Sequence, residues 1–315
     1  GWALSIIRKA VHGRPFFKFL NVPSFVEEIK FSEEILKALE GWVKKQNRAL
    51  GAEMEKEFDK WPGLLKSWKK AGNTAVLPRL KDFIHDVKES NLPKYDKDKF
   101  LEFLEHKSLA MEDYVQDIYN LLSDSGHMKN YLSPTPKLDS HLDYLKRLTE
   151  KNRAKNNLDY FDMSLVLRLI QLKNGGLPDG TGGVASLDHL VIDEAQDFGP
   201  VEFAIMMSAV SDKRQITIVG DVAQKILSAR KFIGWNKVVE NLGMEDDSII
   251  RLEVSFRCTV PIMTLAHKVA GDPKKVEGRA GSDPEWYKAE DKDSLLEKLV
   301  NWTHCLVKAD PFKLI

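Results

Sequence analysis

The sequence predicts an α/β fold in which a strand-bearing α/β region is joined to a large all-α region. Three observations predict it. Leu190 to Ile192, Gln215 to Val219 and Ile249 to Val254 are short apolar, largely β-branched stretches that read as strands. Each runs directly into polar or charged residues, the pattern of a buried strand emerging at the edge of a sheet. Before them, from about residue 24 to residue 155, apolar residues recur at helical spacing between proline-containing breaks.

The helical region reads in order. From Ser24 to about Lys60 the chain is rich in Glu, Lys, Leu and Trp, with Phe31, Ile35, Leu36, Leu39, Trp42 and Val43 forming one apolar stripe. Ser32-Glu33-Glu34 predicts a helix start, with acidic residues in the first turn. Pro62-Gly63 is a break, Leu77-Pro78 to Val87 a short helix, and Leu92-Pro93 a further break. Asp96 to Leu122 carries enough apolar residues for one or two amphipathic helices. Ser133-Pro134-Thr135-Pro136 is a loop, and Leu138 to Lys155 a helix with a basic end. That basic end suits the negative pole of the helix; it could also track a phosphate backbone. Trp42, Trp61 and Trp68 fit a helical core better than a partner surface, because aromatics at such spacing pack inward.

The chemistry concentrates at the strand ends. Leu190 to Ile192 leads into Asp193-Glu194-Ala195-Gln196-Asp197. Two charges inside a buried strand would be costly, but at its C-terminal edge they can face a ligand. A carboxylate there can hold Mg²⁺, and its neighbour can position or deprotonate a water. Gln215 to Val219 leads into Gly220-Asp221-Val222-Ala223-Gln224, where Gln224 offers an amide to a phosphate oxygen or a water. Ile249 to Val254 leads into Ser255-Phe256-Arg257-Cys258-Thr259 and a helix from Val260 to Val269. Arg257, near a strand end and a helix start, could grip phosphate bidentately.

These segments resemble the UvrD/Rep-type branch of superfamily 1 DNA helicases. Asp193 to Asp197 matches motif II of that branch, Gly220 to Ile226 resembles motif III, and Leu252 to Thr259 resembles motif IV. Leu158 to Leu172, with Phe161-Asp162 before an apolar helix, resembles the Y-x-D-L segment that precedes motif II. The resemblance implies a partial RecA-like (P-loop NTPase) parallel-sheet domain with a large all-α insertion. Residues 1–155 would be the insertion, 156–250 part of the first RecA-like motor domain, and 251–315 the start of the second. It implies ATP and Mg²⁺ as cofactors and single-stranded DNA as partner. Asp193 would coordinate Mg²⁺, Glu194 would activate the hydrolytic water, Gln224 would sense the γ-phosphate, and Arg257 would contact it from the second motor domain.

The departures are equally specific. The sequence contains no G-x-x-x-x-G-K-S/T phosphate loop, and the glycine-rich stretch Asn174 to Gly183 lacks its ending, so it reads as a surface connection. The later motifs of the family are also missing. The simplest expectation is a piece from the middle of a larger motor, inactive by itself; the alternative is a degenerate, non-hydrolysing binding module. Phe232-Ile233-Gly234-Trp235 follows motif III at a spacing similar to that of the helicase IV/HelD-like branch. That likeness implies RNA polymerase, or another protein, as a partner of the helical insertion; Trp235 itself reads as a packing residue rather than a base-stacking one.

Composition sets the outer limits. Lys plus Arg and Asp plus Glu are both 47, so the chain lacks the basic balance of a compact nucleic-acid-binding module. Cys258 and Cys305 lie far apart without metal-ligand spacing, which fits a reducing, cytoplasmic setting. The eight histidines show no paired ligand spacing, and no apolar run is long enough to span a membrane.

Overall fold

A computed structural model of the chain describes residues 16–18, 21–70, 75–179, 181, 183–212, 215–224, 232–243, 249–252, 254–271 and 275–309. Its described residues are mostly helical, with two small parallel sheets. Residues 1–244 form one compact unit and residues 245–315 a second.

In the first unit, strand β1 (Phe16–Lys18) precedes eight helices: α1 (Ser24–Lys30), α2 (Glu33–Glu57), α3 (Pro62–Lys70), α4 (Val76–Glu89), α5 (Lys94–Met111), α6 (Tyr114–Ser123), α7 (Ser125–Lys129) and α8 (Leu138–Ala154). Strand β2 (Asn157–Asp159) and helix α9 (Asp162–Asn174) follow. Then come β3 (Leu190–Ile192), α10 (Pro200–Met207), β4 (Ile216–Ile218) and α11 (Trp235–Leu242). The predicted helices are present, and the span from Asp96 to Leu122 is divided between α5 and α6. Ser32 starts α2 as its sequence predicts: its hydroxyl accepts a 3.2 Å hydrogen bond from the Ile35 N–H. Such a cap contributes about 1 kcal/mol. Pro62 begins α3, where its missing N–H costs nothing.

The larger of two hydrophobic cores among the described residues of this unit is built mostly from its helices. Ile35, Leu39 and Val43 of α2, Leu80 and Phe83 of α4, Ile118 and Leu122 of α6, and Leu165 and Leu169 of α9 all belong to it. So do Val201 and Ile205 of α10. Trp68 is buried in it, and Trp42 and Trp61 pack against it, as the helical spacing predicts. Full burial of one such aliphatic or aromatic side chain is worth roughly 1.5–3 kcal/mol, so this core dominates the stability of the unit.

Two buried ionic groups lie within it. Lys30 Nζ is 3.2 Å from Asp159 Oδ2 and 2.7 Å from Asp162 Oδ1. Asp162 Oδ2 also accepts the Asp159 N–H, at 2.9 Å. Lys173 pairs with Asp117, which accepts further hydrogen bonds from Trp42 Nε1 and Gln46 Nε2.

The sheets are short. β1 pairs parallel with β2, Phe17 opposite Leu158. β3 pairs parallel with β4, in the register Leu190–Ile216, Val191–Thr217 and Ile192–Ile218. Within β3 the faces alternate: Ile192 is buried and Val191 is exposed.

The described residues of the second unit include α12 (Val260–Val269) and α13 (Lys292–Ala309), and a parallel bridge between Ser255 and Gly278. The predicted strand from Ile249 to Val254 does not form among its described residues. Ile250 and Leu252 are exposed there. A strand needs a neighbour to take its N–H and C=O groups, and the described residues supply none along this stretch.

Candidate active site

β3 and β4 deliver their C-terminal ends to the same edge. Asp193 follows the last residue of β3, and Val219 follows the last residue of β4. The Val219 N–H donates to the Ile192 carbonyl at 2.8 Å, and the Ala195 N–H donates to the Val219 carbonyl at 2.9 Å. The ladder therefore continues one step into the loops and holds them together.

Asp193 and Glu194 are both exposed, as the expectation of a strand edge requires. Glu194 adopts a left-handed backbone, φ 51° and ψ 43°, which an L-residue with a long side chain rarely takes. Asp193 Oδ1 accepts the Glu194 N–H at 2.8 Å and supports the turn. A single turn of 3₁₀ helix, Ala195–Asp197, then tucks Ala195 and Gln196 inside.

Gln196 occupies the centre of the edge. It is 1% exposed. Its Nε2 donates to Glu194 Oε2 at 2.6 Å, and its Oε1 accepts the Asp221 N–H at 2.8 Å. Gly220 makes that approach possible: a Cβ there would fall 2.6 Å from Gln196 Oε1 and 3.0 Å from the Ala195 nitrogen. Gln224, also exposed, donates its Nε2 to Asp221 Oδ2 at 2.8 Å.

The edge thus brings together Asp193, Glu194 and Gln224. Lys225 and Ile226, the end of the third motif, lie outside the described residues. Arg257 belongs to the second unit, where it is exposed, three residues before α12. Its predicted place beside a strand end is corrected by the absence of that strand; its carbonyl accepts from Arg279 Nη2 at 3.3 Å. The sequence marks Gly220 as a turn residue but assigns no role of their own to Gln196 and Asp221. The signal available was a lone amide between a buried alanine position and a carboxylate, which has no meaning until its partner 25 residues away is known.

The surroundings are conventional packing. Trp235 and Phe232 meet edge to face at 5.0 Å and lie against the small core of Ile192, Phe203 and Val238, which agrees with a packing role. His189 Nε2 lies 3.2 Å from Thr217 Oγ1 and ties β3 to β4. Among the described residues, no helix is long and apolar enough to cross a membrane.

Helix α10 joins this edge to the helical region, with Phe203 in the small core and Val201 and Ile205 in the larger one, and the class of protein is that of the UvrD-type superfamily 1 helicases. Residues 28–231 match the UvrD/REP helicase N-terminal domain, and the chain belongs to that family. It is similar to the ATP-dependent DNA helicase srs2 of Schizosaccharomyces pombe, 32% identical over 155 residues, which are 48% of this chain and 17% of that protein. It is also similar to the ATP-dependent DNA helicase Rep of Salmonella typhimurium, 26% identical over 132 residues, 42% of this chain and 19% of that protein. The matched stretch therefore spans less than a fifth of either relative's length. Neither likeness supports the HelD-like branch or an RNA polymerase partner.

Proposed function

We propose that this chain is the central part of an ATP-dependent DNA helicase or translocase, which couples hydrolysis of Mg-ATP to movement on single-stranded DNA. In this reading residues 156–250 are part of a first RecA-like motor domain, residues 1–155 are its helical insertion, and residues 251–315 open the second motor domain. The observation that carries it is the exposed Asp193–Glu194 pair at the end of β3, with Gln224 brought to the same edge by β4. Family membership and the names of both relatives support it.

The donor set suits Mg²⁺ arriving with its nucleotide. Among the described residues, no group of three or more His, Cys, Asp or Glu side chains is arranged to hold a metal alone. Mg²⁺ in phosphoryl-transfer sites takes one or two carboxylates, with water and substrate phosphates completing the shell. Asp193 is the carboxylate that would hold it, and bound Mg²⁺ would neutralise charge on the phosphates. Glu194 would orient the attacking water and accept its proton. Gln224 would read the γ-phosphate, and Arg257 would stabilise its developing charge. The phosphate cradle itself is not encoded in these residues, so this chain alone is expected not to turn over ATP.

Steady-state ATPase assays, with and without single-stranded DNA, test the reading. The full-length protein is expected to show DNA-stimulated hydrolysis. Glu194→Gln should lower its turnover by roughly a hundredfold or more while leaving nucleotide binding intact. Undiminished hydrolysis by that variant would remove Glu194 from the mechanism.

A further inference from the structure

We propose that Gln196 is a positioning residue that ties the Glu194 carboxylate to the Gly220–Asp221 turn, so that displacement of the turn is transmitted to Glu194. The inference rests on the role given to Glu194 above. Both ends of the Gln196 side chain are engaged, one by Glu194 Oε2 and one by the Asp221 N–H. Those partners fix the amide's orientation, since a carboxylate can only accept and an N–H can only donate. The side chain is buried, so losing either partner would strand a polar group away from water.

The link continues past Asp221. Its carbonyl accepts the Gln224 N–H at 3.0 Å, and its carboxylate accepts the Gln224 side chain. A hydrogen-bonded path therefore runs Glu194, Gln196, Asp221, Gln224. It has little slack, because Gly220 already approaches Gln196 more closely than any side chain would allow. At its other end Glu194 sits in a left-handed conformation that its neighbours must hold in place. A ligand that moves Gln224 would reach Glu194 through Gln196 without touching it.

Three variants in the full-length protein separate the possibilities. Gln196→Ala is expected to lower kcat about a hundredfold with little change in KM for ATP, as small misplacements of a reacting group do. Added to Glu194→Gln, it should cost nothing further. In this chain, Gln196→Ala should speed amide hydrogen exchange at Asp221 by roughly tenfold or more. Unchanged exchange at Asp221, an equal change in KM and kcat, or full kcat in Gln196→Ala while Glu194→Gln is inactive would overturn the positioning role. Full turnover in Glu194→Gln would instead overturn the reading beneath it.

Discussion

Asp159 and Asp162 are enclosed around Lys30, while Asp193 and Glu194, in the same compact unit, are left facing water. In the enclosed group the chain supplies its own counter-charge. Burial works against the Lys30 ammonium, but Asp162 and Asp159 outweigh it and hold the group above its ordinary 10.5. Two carboxyls around one ammonium leave a surplus of negative charge. Burial accordingly raises the Asp162 carboxyl above its usual range, with Lys30 opposing. At the open edge no lysine or arginine bonds to Asp193 or Glu194 among the described residues; their hydrogen bonds come from a backbone N–H and an amide. Charge is sealed in where its partner is internal, and kept wet where the proposed partner, a Mg²⁺-bound nucleotide, would arrive from outside.

Lys30→Met should produce the largest effect on this contrast. It strands two buried carboxyls and is expected to cost about 3–5 kcal/mol in urea unfolding. A loss below about 1 kcal/mol would mean that the enclosed group behaves like a surface pair. The deficit also has a pH signature. Asp162 has a raised folded pKa, so stability falls as pH rises from 3.8 through that value. Lys30 also has a raised folded pKa; its contribution is complete below 10.5 and is lost as pH climbs through the folded value. The deficit of Lys30→Met is therefore expected to be greatest between those two windows.

Gly220→Ala should come next. Its Cβ would press on Gln196 Oε1 and the Ala195 backbone, an overpacking expected to cost about 1–3 kcal/mol by thermal unfolding. A neutral result would show that the edge can yield. The smallest effect is expected from Glu194→Gln in this chain, which keeps the acceptor for Gln196 and should change stability by no more than about 0.5 kcal/mol. A larger loss would make Glu194 structural and erase the distinction from Asp159.

The sequence makes some of this legible and hides the rest for identifiable reasons. Ser32, the α2 stripe and the strands before Asp193 and Gly220 are local patterns, and they are found where the sequence places them. The stretch from Ile249 to Val254 has the composition of a strand, but composition cannot provide a ladder partner. Lys30 reads as an ordinary charged residue in the last turn of a helix, because the carboxyl of Asp159 lies 129 positions away. At the candidate site the carboxylates stand out as letters of a motif. The proposed role of Gln196 does not, since it rests on two hydrogen bonds that only the folded edge creates.

Phe16–Lys18 and Asn157–Asp159 lie side by side, so the long helical excursion between them leaves and returns at one place. Its ends are about one strand spacing, roughly 4.8 Å, apart. Such an excursion can gain or lose residues at its periphery without shifting the strands that anchor it. Its inner faces have no such freedom, because α2, α4 and α6 supply apolar residues to the core against which α9 rests. Across related chains, length should therefore drift in the outer turns of this region, while the residues against α9 change only in compensating pairs.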